Sequence, residues 1–160
     1  NAVFYQEIAD KKIDHSTAGA KYLYEMFYDG SDLQKLVVEI IGMAILSHHS
    51  GLQNFSQIDL KESDYLRRVL KKDLPYYEEV KDNFESYKQY PQRVRELIKE
   101  ACQELQNFLQ KIRGLGHANL YVSYLQKLIF SILVDADRTD ARRFEEQDNS
   151  TLESSYSFQE

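Results

Sequence analysis

The sequence predicts an all-α protein. Only 6 glycines and 2 prolines punctuate its 160 residues, far fewer breaks than a turn-rich all-β fold requires. Leucine, glutamate and lysine, all good helix formers, are plentiful. Apolar residues also recur at helical spacing over long stretches bounded by capping and stop signals. With 42% hydrophobic and 29% charged residues, the chain has the balance of one ordinary globular domain, which argues against wholesale disorder and against a membrane protein.

Each helix has its own justification. Residues 2–9 read as the end of a helix and residues 11–14 as the polar connection after it. Asp14 or Ser16 then caps a helix running to about Tyr28, with Ala18, Tyr22, Leu23, Met26 and Phe27 on its apolar side. The run Asp29-Gly30-Ser31-Asp32 stops it. Residues 33–49 form the most hydrophobic segment, with Leu36, Val37, Ile40, Ile41, Ala44 and Ile45 covering more than one face, so this helix is expected to be central. Ser50-Gly51 ends it, as a glycine past a helix C-terminus does.

Residues 52–58 read as a loop. Residues 59–72 form an amphipathic helix with Leu60, Leu66, Val69 and Leu70 inward and basic residues outward, and Asp73-Leu74-Pro75 breaks it. A charged helix over residues 76–90 follows, Pro91 opens another to about Ile112, and Arg113-Gly114-Leu115-Gly116 makes a turn. The last helix is expected over residues 119–146, with Leu120, Tyr124, Leu128, Phe130, Leu133 and Val134 in the core. Residues 148–160, polar and serine-rich, read as a tail or linker.

The charge balance constrains partners. Twenty Lys+Arg against 26 Asp+Glu give a net charge of −6, so the average field repels polyanions. A nucleic-acid substrate would need a local positive centre, and a bound divalent ion is the strongest such centre available to an acidic domain. A single cysteine, Cys102, cannot form an intrachain disulfide, which suits a reducing cytoplasm. Apolar runs stop well short of the ~18 residues a membrane span needs, so no membrane partner is expected.

Three motifs carry side chains of metal-binding type. Ser47-His48-His49-Ser50-Gly51 puts adjacent histidines at the end of the central helix. Successive helical residues point about 100° apart, so both rings address one cavity only where the helix is ending. The competing role is simpler: histidines complementing the negative end of the helix dipole. Asp14-His15-Ser16 places a histidine at a helix start, either as a surface residue or as a ligand. In Val134-Asp135-Ala136-Asp137-Arg138, two acids follow an apolar helical run, where a carboxylate needs a metal, an arginine or solvent as partner. His117 reads as a loop residue and Cys102 as a packed helical one. Gly114-Leu115-Gly116 lacks the further glycine and lysine of a phosphate loop.

In order, Asp14-His15-Ser16-Thr17-Ala18-Gly19-Ala20, His48-His49-Ser50-Gly51-Leu52 and Leu133-Val134-Asp135-Ala136-Asp137-Arg138 resemble the HD nuclease domain of the CRISPR-associated type I nuclease-helicase. The resemblance implies an HD-domain helical bundle over residues 1–147, with residues 148–160 leading toward a helicase module. It assigns His15, His48, His49 and Asp137 as catalytic metal ligands, with Asp135 as the alternative acid or a supporting partner. Imidazole and carboxylate donors imply a divalent transition metal, Mn, Fe, Co or Ni, with Mg also compatible. The implied reaction is phosphodiester hydrolysis of single-stranded DNA by metal-activated water. The implied partners are a helicase module, in the same chain or separate, and the CRISPR surveillance complex.

The family's His-Asp doublet and the histidine before it do not occur in these 160 residues. The resemblance therefore places them upstream of Asn1, and this polypeptide alone carries only part of the implied site. An HD phosphohydrolase acting on nucleotides and a non-catalytic helical interaction module are the alternatives. Among the basic residues, Lys21, Arg67, Arg68 and Arg138 are candidates to guide a nucleic-acid backbone.

Overall fold

The computed structural model describes residues 14–52 and 64–156, with residues 64 and 145–156 described by their backbone alone. The expectations for residues 2–13, 53–63 and 157–160 lie outside this range. Six α-helices follow one another, and no strand occurs among the described residues: α1 His15–Phe27, α2 Asp32–Ser47, α3 Asp64–Lys71, α4 Tyr77–Ser86, α5 Gln89–Ile112 and α6 Ala118–Tyr156. The all-α prediction holds.

Local chemistry explains the first two helices. The Asp14 carboxylate accepts from the Thr17 N–H at 2.9 Å and caps α1. Ser31 caps α2 by accepting from the Gln34 N–H at 3.3 Å, and Gln34 in turn donates to the Phe27 carbonyl at 3.1 Å, tying the turn to the helix before it. A connection of four residues forces α1 and α2 to pack as neighbours running in opposite directions. The start of α1 therefore lies beside the end of α2.

The centre of the bundle is α2, which packs on α1, α3, α5 and α6. Val37, Val38, Ile40, Met43, Ala44 and Leu46 are all buried, as a helix apolar on more than one face requires. Gly42 admits the closest approach: a Cβ there would stand 2.5 Å from the Tyr65 ring, so its absence lets α3 lay that aromatic against α2. The other side of Tyr65 is equally closed, and the residue is 2% exposed.

Several boundaries and faces differ from expectation. The expected 76–90 helix ends at Ser86, and α5 begins at Gln89 rather than Pro91. Pro91 then falls in the first turn, where the missing N–H has no intrahelical partner to lose. The last helix does not stop near Glu146 but continues through Tyr156, because no glycine or proline interrupts residues 118–156. On α3, Val69 is buried and Leu66 packs on the core, but Leu70 is exposed and Tyr65 takes the inward position.

The face of α6 is the larger correction. Leu120, Tyr124 and Leu128 are exposed, whereas Val122 and Gln126 are buried and Leu125 and Ile129 pack against the core. This helix is apolar on two sides, so spacing alone does not choose between them. A buried glutamine on the inward side, its Nε2 without a hydrogen-bond partner among the described residues, further disguises the true face.

Candidate metal centre

The antiparallel α1–α2 pair joins two motifs that lie 33 residues apart in the chain. His15 is the first residue of α1, His48 the C-cap of α2, and His49 the residue after it. His15 Nε2 stands 3.3 Å from His48 Nε2 and 2.8 Å from His49 Nε2. Together they form the one group of metal-ligating side chains that converges among the described residues, with donor atoms all within 4.8 Å of one another.

How α2 ends explains why adjacent histidines share one cavity. Its last carbonyls each find a different partner, as the end of a helix demands. His48 Nδ1 donates to the Ile45 carbonyl at 2.5 Å. Arg68 donates to the Leu46 carbonyl at 3.2 Å. The N–H groups of Ser50 and Gly51 donate to the Ser47 carbonyl at 3.0 and 2.8 Å. Gly51 adopts φ 81°, the left-handed conformation that turns the chain away. The capping role weighed for these histidines is thus real for the Nδ1 edge of His48, and it leaves the Nε2 edge turned to His15.

Proton accounting makes this cluster chemically specific. With Nδ1 donating to Ile45, neutral His48 presents a lone pair at Nε2. His15 Nε2 faces two other ring nitrogens, and a single N–H at that atom can serve only one of them. Either a second proton or a cation must satisfy the other contact. Burial pushes the His15 pKa below its ordinary value of 6.5, as do the charges of His49 and His48; Asp14 and Asp137 oppose them. A second proton is therefore disfavoured, and a metal cation is the better filler.

The two separations at His15 are of the size such an ion imposes. Metal–nitrogen bonds of ~2.0–2.1 Å separate cis ligands by about 2.8–3.0 Å in octahedral geometry and about 3.3–3.4 Å in tetrahedral geometry. The two separations at His15 fall within these limits. Three imidazoles suit Mn, Fe, Co, Ni or Zn rather than an all-oxygen ion.

A polar brace stands behind the triad. Asp14 accepts from Ser16 Oγ at 2.7 Å, from Thr17 Oγ1 at 2.6 Å and from Lys72. Burial alone would raise the pKa of Asp14, but the hydrogen bonds from Lys72, Thr17 and Ser16 outweigh it and hold the carboxyl well below the usual range. Arg68 reaches Thr17 Oγ1 at 3.0 Å and pairs with Asp14 at 3.9 Å. Its guanidinium is turned into the protein.

The two late acids separate. Two residues apart on α6, they point about 200° from each other. Asp135 lines a shallow, open recess with Ile132, Ala136, Thr139, Asp140 and Arg143. The charge of Asp137 instead reaches His15 and favours its protonated form. The Asp137 carboxylate is outside the converging donor set. His117 is exposed in the turn before α6 with φ 53°, and Cys102 is a partly buried helical thiol whose pKa burial raises. Neither joins the site.

Sequence spacing carries no sign of the Lys72 contact to Asp14 or of the inward course of Arg68. The Asp14–Thr17 cap was legible from spacing, whereas the contact between Arg68 and Thr17 spans 51 residues and follows only from packing.

Fold and geometry thus define an all-α protein with a histidine cluster suited to a metal. No family model, curated protein or solved structure matches the chain.

Proposed function

We propose that this chain is a metal-dependent phosphodiester hydrolase of HD type, and specifically a single-stranded DNA nuclease domain of type I CRISPR interference. The observation that carries the reading is the convergence of His15, His48 and His49, which come from two separate sequence motifs. Asp137 is the acid that the resemblance adds to them.

Within this reading His15, His48 and His49 hold a divalent transition ion, and Asp137 either joins them or orients a ligand. When bound, that ion supplies Lewis acidity toward a phosphoryl oxygen and lowers the pKa of a water. The protein contributes imidazoles held in place: His48 is oriented by its Nδ1 donation to Ile45, and desolvation with the neighbouring histidines disfavours the protonated form of His15. The upstream His-Asp doublet implied by the family resemblance would complete the ligand set. A helicase module and a surveillance complex would deliver single-stranded DNA to a domain whose net charge of −6 does not attract it unaided. No helix among the described residues is long and apolar enough to cross a membrane.

The experiment is Mn2+- or Ni2+-dependent cleavage of single-stranded DNA by the natural full-length chain, with His48→Ala and Asp137→Ala beside it. Cleavage lost in both variants supports the assignment. Undiminished cleavage in both overturns the site, and hydrolysis of free nucleotides with DNA left intact overturns the nuclease reading.

A further inference from the structure

Arg68 occupies a position that the metal ligands alone do not explain. Its side chain is 21% exposed and its two terminal nitrogens are divided between two helices. Nη1 donates to the Leu46 carbonyl, two residues before His48, at 3.2 Å. Nη2 donates to Thr17 Oγ1, two residues after His15, at 3.0 Å, and lies 3.9 Å from Asp14. One planar fork therefore spans the end of α2 and the start of α1, the two chain segments whose separation sets the His15–His48 and His15–His49 distances.

We propose that Arg68 is a positioning residue for the His15/His48/His49 metal centre, fixing the spacing of its two ligand-bearing helix ends; this rests on the metal-binding reading above. Leu46 is anchored in the core at 2% exposure and Thr17 is fully buried, so both acceptors are held against motion. A rigid guanidinium can join them at once, whereas an ammonium concentrates its donors at one point and cannot reproduce that span. Asp14 adds charge to one side of the fork and is itself held by Lys72 and Ser16, so the brace is continuous from α3 to the cap of α1. A histidine triad without this brace would retain its ligands but lose their preset separation, and the ion would bear the cost of reassembling them.

The test is Co2+ titration of the full chain, followed by visible d–d absorption, in wild type, Arg68→Lys and Thr17→Val, with helicity checked by circular dichroism. Ile98→Val is the control, since Ile98 is a buried core residue on α5, a helix that carries none of the brace residues. Arg68→Lys keeps the charge and Thr17→Val keeps the volume, and each removes one limb of the fork. The expected result is a loss of Co2+ affinity of about ten- to hundred-fold in both, with an altered absorption band and retained helicity. Ile98→Val should lower thermal stability without changing affinity or spectrum. Wild-type affinity in Arg68→Lys and Thr17→Val overturns the positioning role while leaving the metal centre standing. A comparable affinity loss in Ile98→Val also overturns it, because affinity would then simply follow stability. Failure of wild type to bind Co2+ overturns the metal-binding reading itself.

Discussion

His15 and His49 meet Nε2 to Nε2 at 2.8 Å, although 34 residues separate them. One N–H at His15 Nε2 can serve this contact or the one to His48 Nε2, not both. An ion held by the three ring nitrogens would satisfy both, so metal should stabilise the fold. Adding Co2+ or Mn2+ to chelator-treated protein should raise the melting temperature, with stabilisation of about 2.7 kcal/mol at a free concentration near one hundred times Kd. His15→Ala and His49→Ala should each remove most of the shift, and a chelator should reverse it in wild type. An equal shift in both variants would place the ion elsewhere.

Gly42 should tolerate no larger side chain. A Cβ would stand 2.5 Å from the Tyr65 ring, which is held on its remaining sides by the core. Gly42→Ala gains helix propensity, but overpacking costs about 1–3 kcal/mol and should win. Urea unfolding should show a lower midpoint at unchanged slope; a midpoint at or above that of wild type would mean that α3 moves freely away from α2.

The two apolar faces of α6 should respond differently. Val122→Ala, on the buried face, should destabilise by about 1–3 kcal/mol, because contacts are lost and the site cannot fully collapse. Leu128→Gln, on the exposed face, should stay within about 0.5 kcal/mol of wild type. Thermal unfolding of the two variants compares them directly, and the reverse order of stability would restore the face that periodicity favoured.

That inversion on α6 marks the boundary of what the sequence made legible. Helix existence followed from local chemistry: a cap at Asp14 or Ser16, the stop at residues 29–32, the Gly51 stop, and the apolar breadth of α2 all act within a few residues. The histidine cluster was legible for a similar reason, since a short α1–α2 connection brings the start of one helix to the end of the other. Which side of α6 turns inward depends instead on the shape that α2 and α5 offer it. The structural contacts of Arg68, one of four basic candidates to guide a backbone, were not legible because its acceptors, a carbonyl on α2 and a hydroxyl on α1, have no signature near residue 68.

Acid should weaken the metal-free fold in two separate windows. Above pH 6.5 His15 is neutral whether folded or unfolded, and its contribution is constant. As pH falls below 6.5, the unfolded chain binds a proton that burial and the neighbouring histidines resist in the fold, so stability drops. Asp14 acts lower. Its ordinary value is 3.8 and its folded value is well below that, so the fold binds fewer protons there and loses stability as pH falls through 3.8 and beyond. Urea unfolding of chelator-treated protein should show both declines. His15→Gln should flatten the first, and Asp14→Asn, which keeps a capping side chain, should narrow its stability deficit against wild type as pH falls below 3.8. A His15→Gln profile parallel to wild type between pH 7 and 5 would show that the triad accepts protons freely, and the case for a cation between His15 and its partners would lose its electrostatic basis.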